Sequence, residues 1–285
     1  MKIGVGALKK PDDSAYNRFR FYELADPGKW SIRRTPDAIE FTQELSSSGY
    51  GYIYRKSIRL TAGKAEMRIE HSLRNTGEIA IDTNVYDHNF LHIDGHAPGP
   101  GDTIRTPFQI KSNRPPDKDF AEIRGNQIVY LKALADRDRV ATPIQGFSDR
   151  ASDYDVRVEN KRSGVGVRIT GDRPLQSEAL WSIRAVLAVE PFIHISVAPG
   201  EEFTWAMSYD YYTVAPPAQL PDGPGKEVFD KRCILCHDAA QALDKRRTRE
   251  EWERVVDDMV TRGANGTDQE LEAITAYLTK NFGKN

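Results

Sequence analysis

From Ile39 onward, apolar and polar residues alternate along much of the chain with a period of two. The runs Ile39-Glu-Phe-Thr-Gln-Glu-Leu45, Tyr52-Ile-Tyr-Arg-Lys-Ser-Ile-Arg-Leu60 and Met67-Arg-Ile-Glu-His-Ser-Leu73 follow it, and Asp155–Val158 and Val165–Ile169 resume it. A strand turns successive side chains to opposite faces, so each run has one dry and one wet face, the habit of antiparallel sheets. Turn formers separate the runs: Ser48-Gly49, Ala62-Gly63-Lys64, Asn75-Thr-Gly77 and Pro199-Gly200. Many strands at short spacing, with no long helix among them, predict a mainly β fold over residues 1–214. That length exceeds one immunoglobulin unit, so the expectation is a large antiparallel β-sandwich of two broad sheets. Ala179 to Ala198 is nearly all apolar or β-branched and predicts a central strand pair buried on both faces.

The pattern then changes. Residues 215–225, Ala-Pro-Pro-Ala-Gln-Leu-Pro-Asp-Gly-Pro-Gly, predict a stiff, extended linker, because each proline fixes φ and removes a donor. Residues 226–285 have helical signals. Thr248-Arg-Glu-Glu251 and Thr267-Asp-Gln-Glu270 are both capping boxes, in which the threonine hydroxyl takes an orphan amide and the glutamate reaches back. Trp252, Val255, Val256 and Met259 fall on one apolar face, and Gly263 ends that helix. Leu271, Ile274, Tyr277 and Leu278 form the dry face of the next. A tail this short is marginal as an independent unit, so its middle is expected to be filled by something besides side chains.

Both cysteines of the chain lie in the tail, as Cys233-Ile-Leu-Cys236-His237. This is the attachment pattern of a c-type haem: two thiols reach two vinyl groups, and the next imidazole ligates the iron. A zinc site needs a second ligand pair, and the tail has no other His or Cys. Met259 is the methionine available after the linker; it is either the second axial ligand or a core residue packing on the porphyrin edge. Around these residues, Gly225 to Gly283 resembles the short bacterial cytochrome c domains appended to secreted enzymes. The carrying segments are Arg247–Trp252, Val255–Ala264 and Ile274–Leu278. The resemblance implies one covalent haem c on Cys233 and Cys236, with His237 and Met259 as axial ligands. It also implies electron transfer with a redox partner protein, and a periplasmic or extracellular location. Met1–Lys10 is not a secretory signal, so a leader is expected upstream. No apolar run approaches the ~18 residues of a membrane span.

In the β region, His88, His92 and His96 crowd ten residues, with Asp94 among them. The cluster lacks a recognised metal-ligand spacing. Val189-Glu190-Pro191 sets a carboxylate in an otherwise apolar run. Taken alone, Glu190 reads as a strand-end residue facing solvent ahead of the proline. Gly4-Val-Gly, Tyr16-Asn-Arg18, Gly49-Tyr-Gly-Tyr52, Glu70–Gly77 and Tyr86-Asp-His88-Asn-Phe90 are together similar to the aldose 1-epimerase superfamily. The likeness covers about residues 1–212. It implies the galactose mutarotase-like supersandwich, a carbohydrate partner, His88 as catalytic acid and Glu190 as catalytic base. Active members use a further histidine, which cannot be placed between Pro98 and Glu190. Trp30, Tyr50, Tyr52, Trp181 and Trp205 are aromatic candidates for sugar stacking or for plain core.

The primary expectation is therefore an exported c-type haem electron-transfer protein with a carbohydrate-binding domain. The alternative is an aldose 1-epimerase with a haem appendage, and a sandwich with no sugar role is a third. A formal net charge of −2, with no single-signed stripe, argues against nucleic acid as a partner.

Overall fold

The structure is a computed structural model that describes residues 1–17, 19–214, 220–233 and 245–284. Short strands β1 (Ala7–Leu8) and β2 (Leu24–Asp26) form a ribbon. A ten-stranded sheet takes β3 (Lys29–Arg34), β4 (Ala38–Ser47), β5 (Tyr50–Leu60), β6 (Glu66–Asn75), β9 (Asp102–Arg105), β10 (Ala121–Arg124), β11 (Gln127–Tyr130), β13 (Asp155–Asn160), β14 (Val165–Gly171) and β17 (Glu202–Thr213). A five-stranded sheet takes β7 (Ile81–Tyr86), β8 (Asn89–Leu91), β12 (Arg139–Ile144), β15 (Ser177–Ile183) and β16 (Val186–Val197). The strand orders are β10-β11-β9-β13-β14-β17-β6-β5-β4-β3 and β12-β15-β16-β7, with β8 also on β16. Pairing is antiparallel throughout, as the alternation predicts.

One core joins the sheets. Leu73, Ile104 and Ile169 of the large sheet and Ile144, Leu180 and Ile195 of the small one are almost fully enclosed and belong to a single apolar cluster. Burial at this level stabilises by about 1.5–3 kcal/mol per large side chain. β15 and β16 do form a central hairpin of the small sheet. The expectation of burial on both faces fails, however, outside Leu187–Val189. From Val189 to Val197 the odd-numbered residues face the core, while Glu190, Phe192, His194 and Ser196 turn to the other face.

Three helices follow among the described residues: α1 (Lys226–Arg232), α2 (Arg249–Thr261) and α3 (Asp268–Phe282). Both capping boxes form in full, at Thr248 with Glu251 and at Thr267 with Glu270. The tail core consists of Phe229, Trp252, Val256, Ile274, Tyr277 and Leu278. Residues 220–225 are not a free spacer. Leu220 packs against that core, and the Pro221 carbonyl accepts a hydrogen bond from the Tyr277 hydroxyl at 2.8 Å. Gly225 adopts a left-handed conformation at the start of α1, where a Cβ would run into the Ala273 carbonyl. No described helix is long and apolar enough to cross a membrane.

Candidate active site

The register of the small sheet creates the site. β16 pairs with β7 from Phe192 to Val197 and with β8 from Leu187 to Val189. The partner changes beside Glu190 and Pro191. Proline donates no amide hydrogen, so a strand interior tolerates it where the ladder is interrupted. Asp87 and His88 occupy that interruption. Asn89 then anchors the corner: its side-chain amide donates to the Val189 carbonyl at 3.0 Å and accepts from the Tyr209 hydroxyl at 2.6 Å.

The interruption turns His88 onto Glu190, with Nε2 3.0 Å from Oε1. The glutamate is thus in mid-strand and half-buried, not at a strand end facing solvent. A proline in an apolar run ordinarily marks a strand end, whereas Pro191 sits where β16 changes its ladder partner. Rings fix the imidazole: Phe90 stacks on it at 4.0 Å between centroids, and Trp181 presents an edge at 5.9 Å. Tyr86 and Phe192, stacked at 4.3 Å, continue the aromatic wall.

His88 and Glu190 lie in a groove of about 1380 Å³ that also reaches the concave face of the large sheet at Tyr54, His71 and Trp205. Asp87 also lines this groove, with Lys56 Nζ 3.9 Å from its carboxylate. Burial raises the Asp87 pKa, and Lys56 partly offsets this. His71 is held neutral, its pKa lowered to about 3 first by burial and then by Lys56.

The other sequence candidates disperse. His92 Nδ1 contacts the Ala185 carbonyl at 2.8 Å and lines a separate groove with Arg137, Arg139 and Arg184. His96 follows the turn at Asp94 and Gly95, both of positive φ. His194 contacts the Asn84 side chain at 3.1 Å. Among the described residues no three His, Cys, Asp or Glu side chains are grouped as metal ligands would be. Tyr52 and Trp205 are buried, Trp181 is half-buried against His88, and Trp30 and Tyr50 are exposed. Sequence reasoning missed Lys56, Asp87 and Asn89 as parts of the site. Asp87 and Asn89 lay inside the Tyr86–Phe90 motif and could have been found there; Lys56 had no signal beyond its strand.

In the tail, Cys233 ends α1, half-buried against the tail core. Met259 is half-buried near the end of α2 and is not part of that core. Cys236, His237 and Arg18 lie outside the described residues.

No family model matches the chain, and no curated protein matches it. It is similar to several solved structures. One is a candidate aldose 1-epimerase of Escherichia coli K12, at 14% identity and TM-score 0.49, over 70% of this chain and 75% of that one. Another is a GalM/aldose epimerase homologue of C. elegans, at 14% identity and TM-score 0.48, over 74% and 81%. A third is a galactose mutarotase-like protein of Clostridium acetobutylicum, at 10% identity and TM-score 0.47, over 75% of each.

Proposed function

We propose that the groove binds an aldose and that His88 and Glu190 interconvert its anomers. The supporting observation is the 3.0 Å approach of an imidazole and a carboxylate in a groove walled by aromatic rings. Mutarotation moves protons on two oxygens bonded to one carbon, so acid and base must lie close together. Glu190 removes the proton of the anomeric hydroxyl while protonated His88 gives one to the ring oxygen, and the bond from that oxygen to the anomeric carbon breaks. The open-chain aldehyde rotates. Reclosure on its other face returns one proton to His88 and leaves Glu190 ionised. Nothing is oxidised or reduced. Sugar oxygens replace the direct His88–Glu190 contact when the substrate enters.

Polarimetry of fresh α-D-galactose and α-D-glucose tests the proposal. Glu190→Gln is expected to lower kcat by roughly 10²–10⁴-fold with KM little changed. Equal rates for wild type and mutant would remove the catalytic role.

We further propose that the tail carries a covalent haem c, on the strength of Cys233-Ile-Leu-Cys236-His237. The described residues are compatible with that donor set: Cys233 packs against the six-residue core from outside it, and Met259 is half-buried without being one of the six. Cys233 and Cys236 would hold the porphyrin, and His237 and Met259 the iron. The group would supply a one-electron couple for exchange with a redox partner protein, and its attachment would require export from the bacterial cytoplasm. A pyridine haemochrome spectrum on protein from an export-competent host tests this; a colourless product there would refute it.

A further inference from the structure

His71 lines the far end of the groove and carries a buried polar atom that the proposed chemistry leaves unused. His71 on β6 lies beside Lys56 of β5 on one side and Trp205 of β17 on the other. Its ring stacks on Trp205 at 4.6 Å between centroids, with planes 2° apart, and lies 5.9 Å from the Tyr54 ring. The Tyr54 hydroxyl is 2.7 Å from His71 Nδ1. His71 is only 5% exposed, and its Nε2 has no hydrogen-bond partner among the described residues.

The pattern of partners favours one tautomer. No other acceptor is found for the Tyr54 hydroxyl among the described residues, which favours its hydrogen on a bare Nδ1 over the reverse arrangement. In that tautomer the neutral ring's own hydrogen sits on Nε2. A buried N–H without an acceptor costs on the order of 1–3 kcal/mol, so native proteins rarely leave one unpaired without a reason. Here the stacked ring and the Tyr54 contact hold it in one orientation.

We propose that His71 is a ligand-binding residue of the groove, whose Nε2–H donates to a hydroxyl or ring oxygen of a neutral sugar. The surroundings select that chemistry. Lys56, the cross-strand neighbour of His71, reaches the carboxylate of Asp87, which precedes His88; one cation beside one carboxylate favours neither an anion nor a cation outright. A sugar hydroxyl suits both, because it can accept from His71 and donate to Asp87. The assignment rests on the groove taking a sugar, but not on Glu190 acting as a base.

The test uses full-length protein, D-galactose and D-glucose as probes, and three substitutions. His71→Phe keeps the ring on Trp205 and deletes the donor; sugar Kd is expected to rise about 10- to 100-fold. His71→Gln, which restores an N–H, is expected to recover part of that loss. In Glu190→Gln protein labelled with ¹⁵N-histidine, added sugar is expected to shift the His71 Nε2–H resonance, which a purely structural histidine would not show. Unchanged Kd in His71→Phe, or a resonance that stays still while sugar binds, overturns the assignment and leaves the epimerase proposal standing. A moving resonance with undiminished turnover in Glu190→Gln does the reverse. Wild-type protein that binds neither sugar overturns both.

Discussion

The sandwich and the helical tail meet the burial requirement in different ways. In the sandwich, two sheets enclose an apolar cluster whose residues run from Ala7 to Tyr209. Within that surplus it accommodates groups that cost stability: Glu178, fully buried with neither oxygen partnered, and His71 with its unpaired Nε2. Among its described residues the tail has six buried apolar side chains, and although Thr279 Oγ1 is buried unpartnered, most of its polar groups serve the helix ends. Both long helices start in capping boxes. The glutamate of each box reaches a further cation, Arg232 at 2.8 Å from Glu270 and Lys284 at 3.0 Å from Glu251. Ample burial permits polar groups to be positioned for chemistry, whereas scarce burial presses them into holding helix ends together.

The sharpest break in that comparison is expected from Trp252→Ala. Trp252 is completely buried, donates from Nε1 to the Phe282 carbonyl at 3.2 Å, and lies under the Arg247 guanidinium at 4.7 Å. Truncating a buried tryptophan costs about 3–5 kcal/mol, more than a six-residue core can spare. Helical circular dichroism should fall, and protease should trim the chain back toward residues 215–225. The sandwich should keep its own melting transition and its affinity for sugar. A single transition lowered for all residues would mean that the two regions fold as one.

Glu178 should produce the next largest effect, and it should be confined to the sandwich. Burial pushes its pKa from 4.5 up to about 8. The folded chain therefore holds a proton that the unfolded chain releases between those values. The contribution of this group is full below about pH 4.5, declines as pH rises toward 8, and levels off above it. One such group gives a slope of about 1.4 kcal/mol per pH unit. Glu178→Gln should flatten denaturant-derived stability between pH 5 and 8, raising it at pH 8 by roughly 2–3 kcal/mol: about 4 kcal/mol of relieved ionisation less about 1–2 kcal/mol for a buried, unpartnered amide. His71 acts with the opposite sign: its lowered pKa means that stability is lost as pH falls from 6.5 toward about 3. A Glu178→Gln profile as steep as wild type would show that the carboxyl is not kept neutral inside.

Local rules reach some of these features from sequence and not others. Alternation exposed the long strands, because each buries one face. Thr248-x-x-Glu251 and Thr267-x-x-Glu270 exposed two helix starts, because a cap is complete within four residues. β15 defeats the same rule. Glu178, Leu180 and Ser182 face inward, while Ala179, Trp181 and Ile183 face the other way, so two of three inward positions are polar. Glu190 was legible only through resemblance, since its partner His88 is brought near by a change of strand pairing. His71 could be noted as a histidine but not given a role. Its partners Tyr54 and Trp205 sit on neighbouring strands, and the missing partner at Nε2 is a property of three-dimensional packing.

The smallest expected effect tests whether the tail relies on its helix ends. Thr248 Oγ1 accepts from the Glu251 amide at 3.3 Å, and the Glu251 carboxylate accepts from the Thr248 amide at 2.8 Å. Thr248→Ala removes the first bond and leaves Glu251 tied to Lys284. A lost N-cap costs about 1 kcal/mol, small beside the Trp252 truncation but a larger share of a weak unit's stability. Hydrogen exchange should therefore quicken at the first amides of α2 and then, at reduced amplitude, through α3, whose Phe282 carbonyl holds Trp252. Exchange in β16 and β17 should not change. If α2 frays while α3 stays protected, the tail helices are joined less tightly than their shared core implies. If both are unaffected, the cap contributes little, and Trp252 with its neighbours supplies nearly all that the tail has.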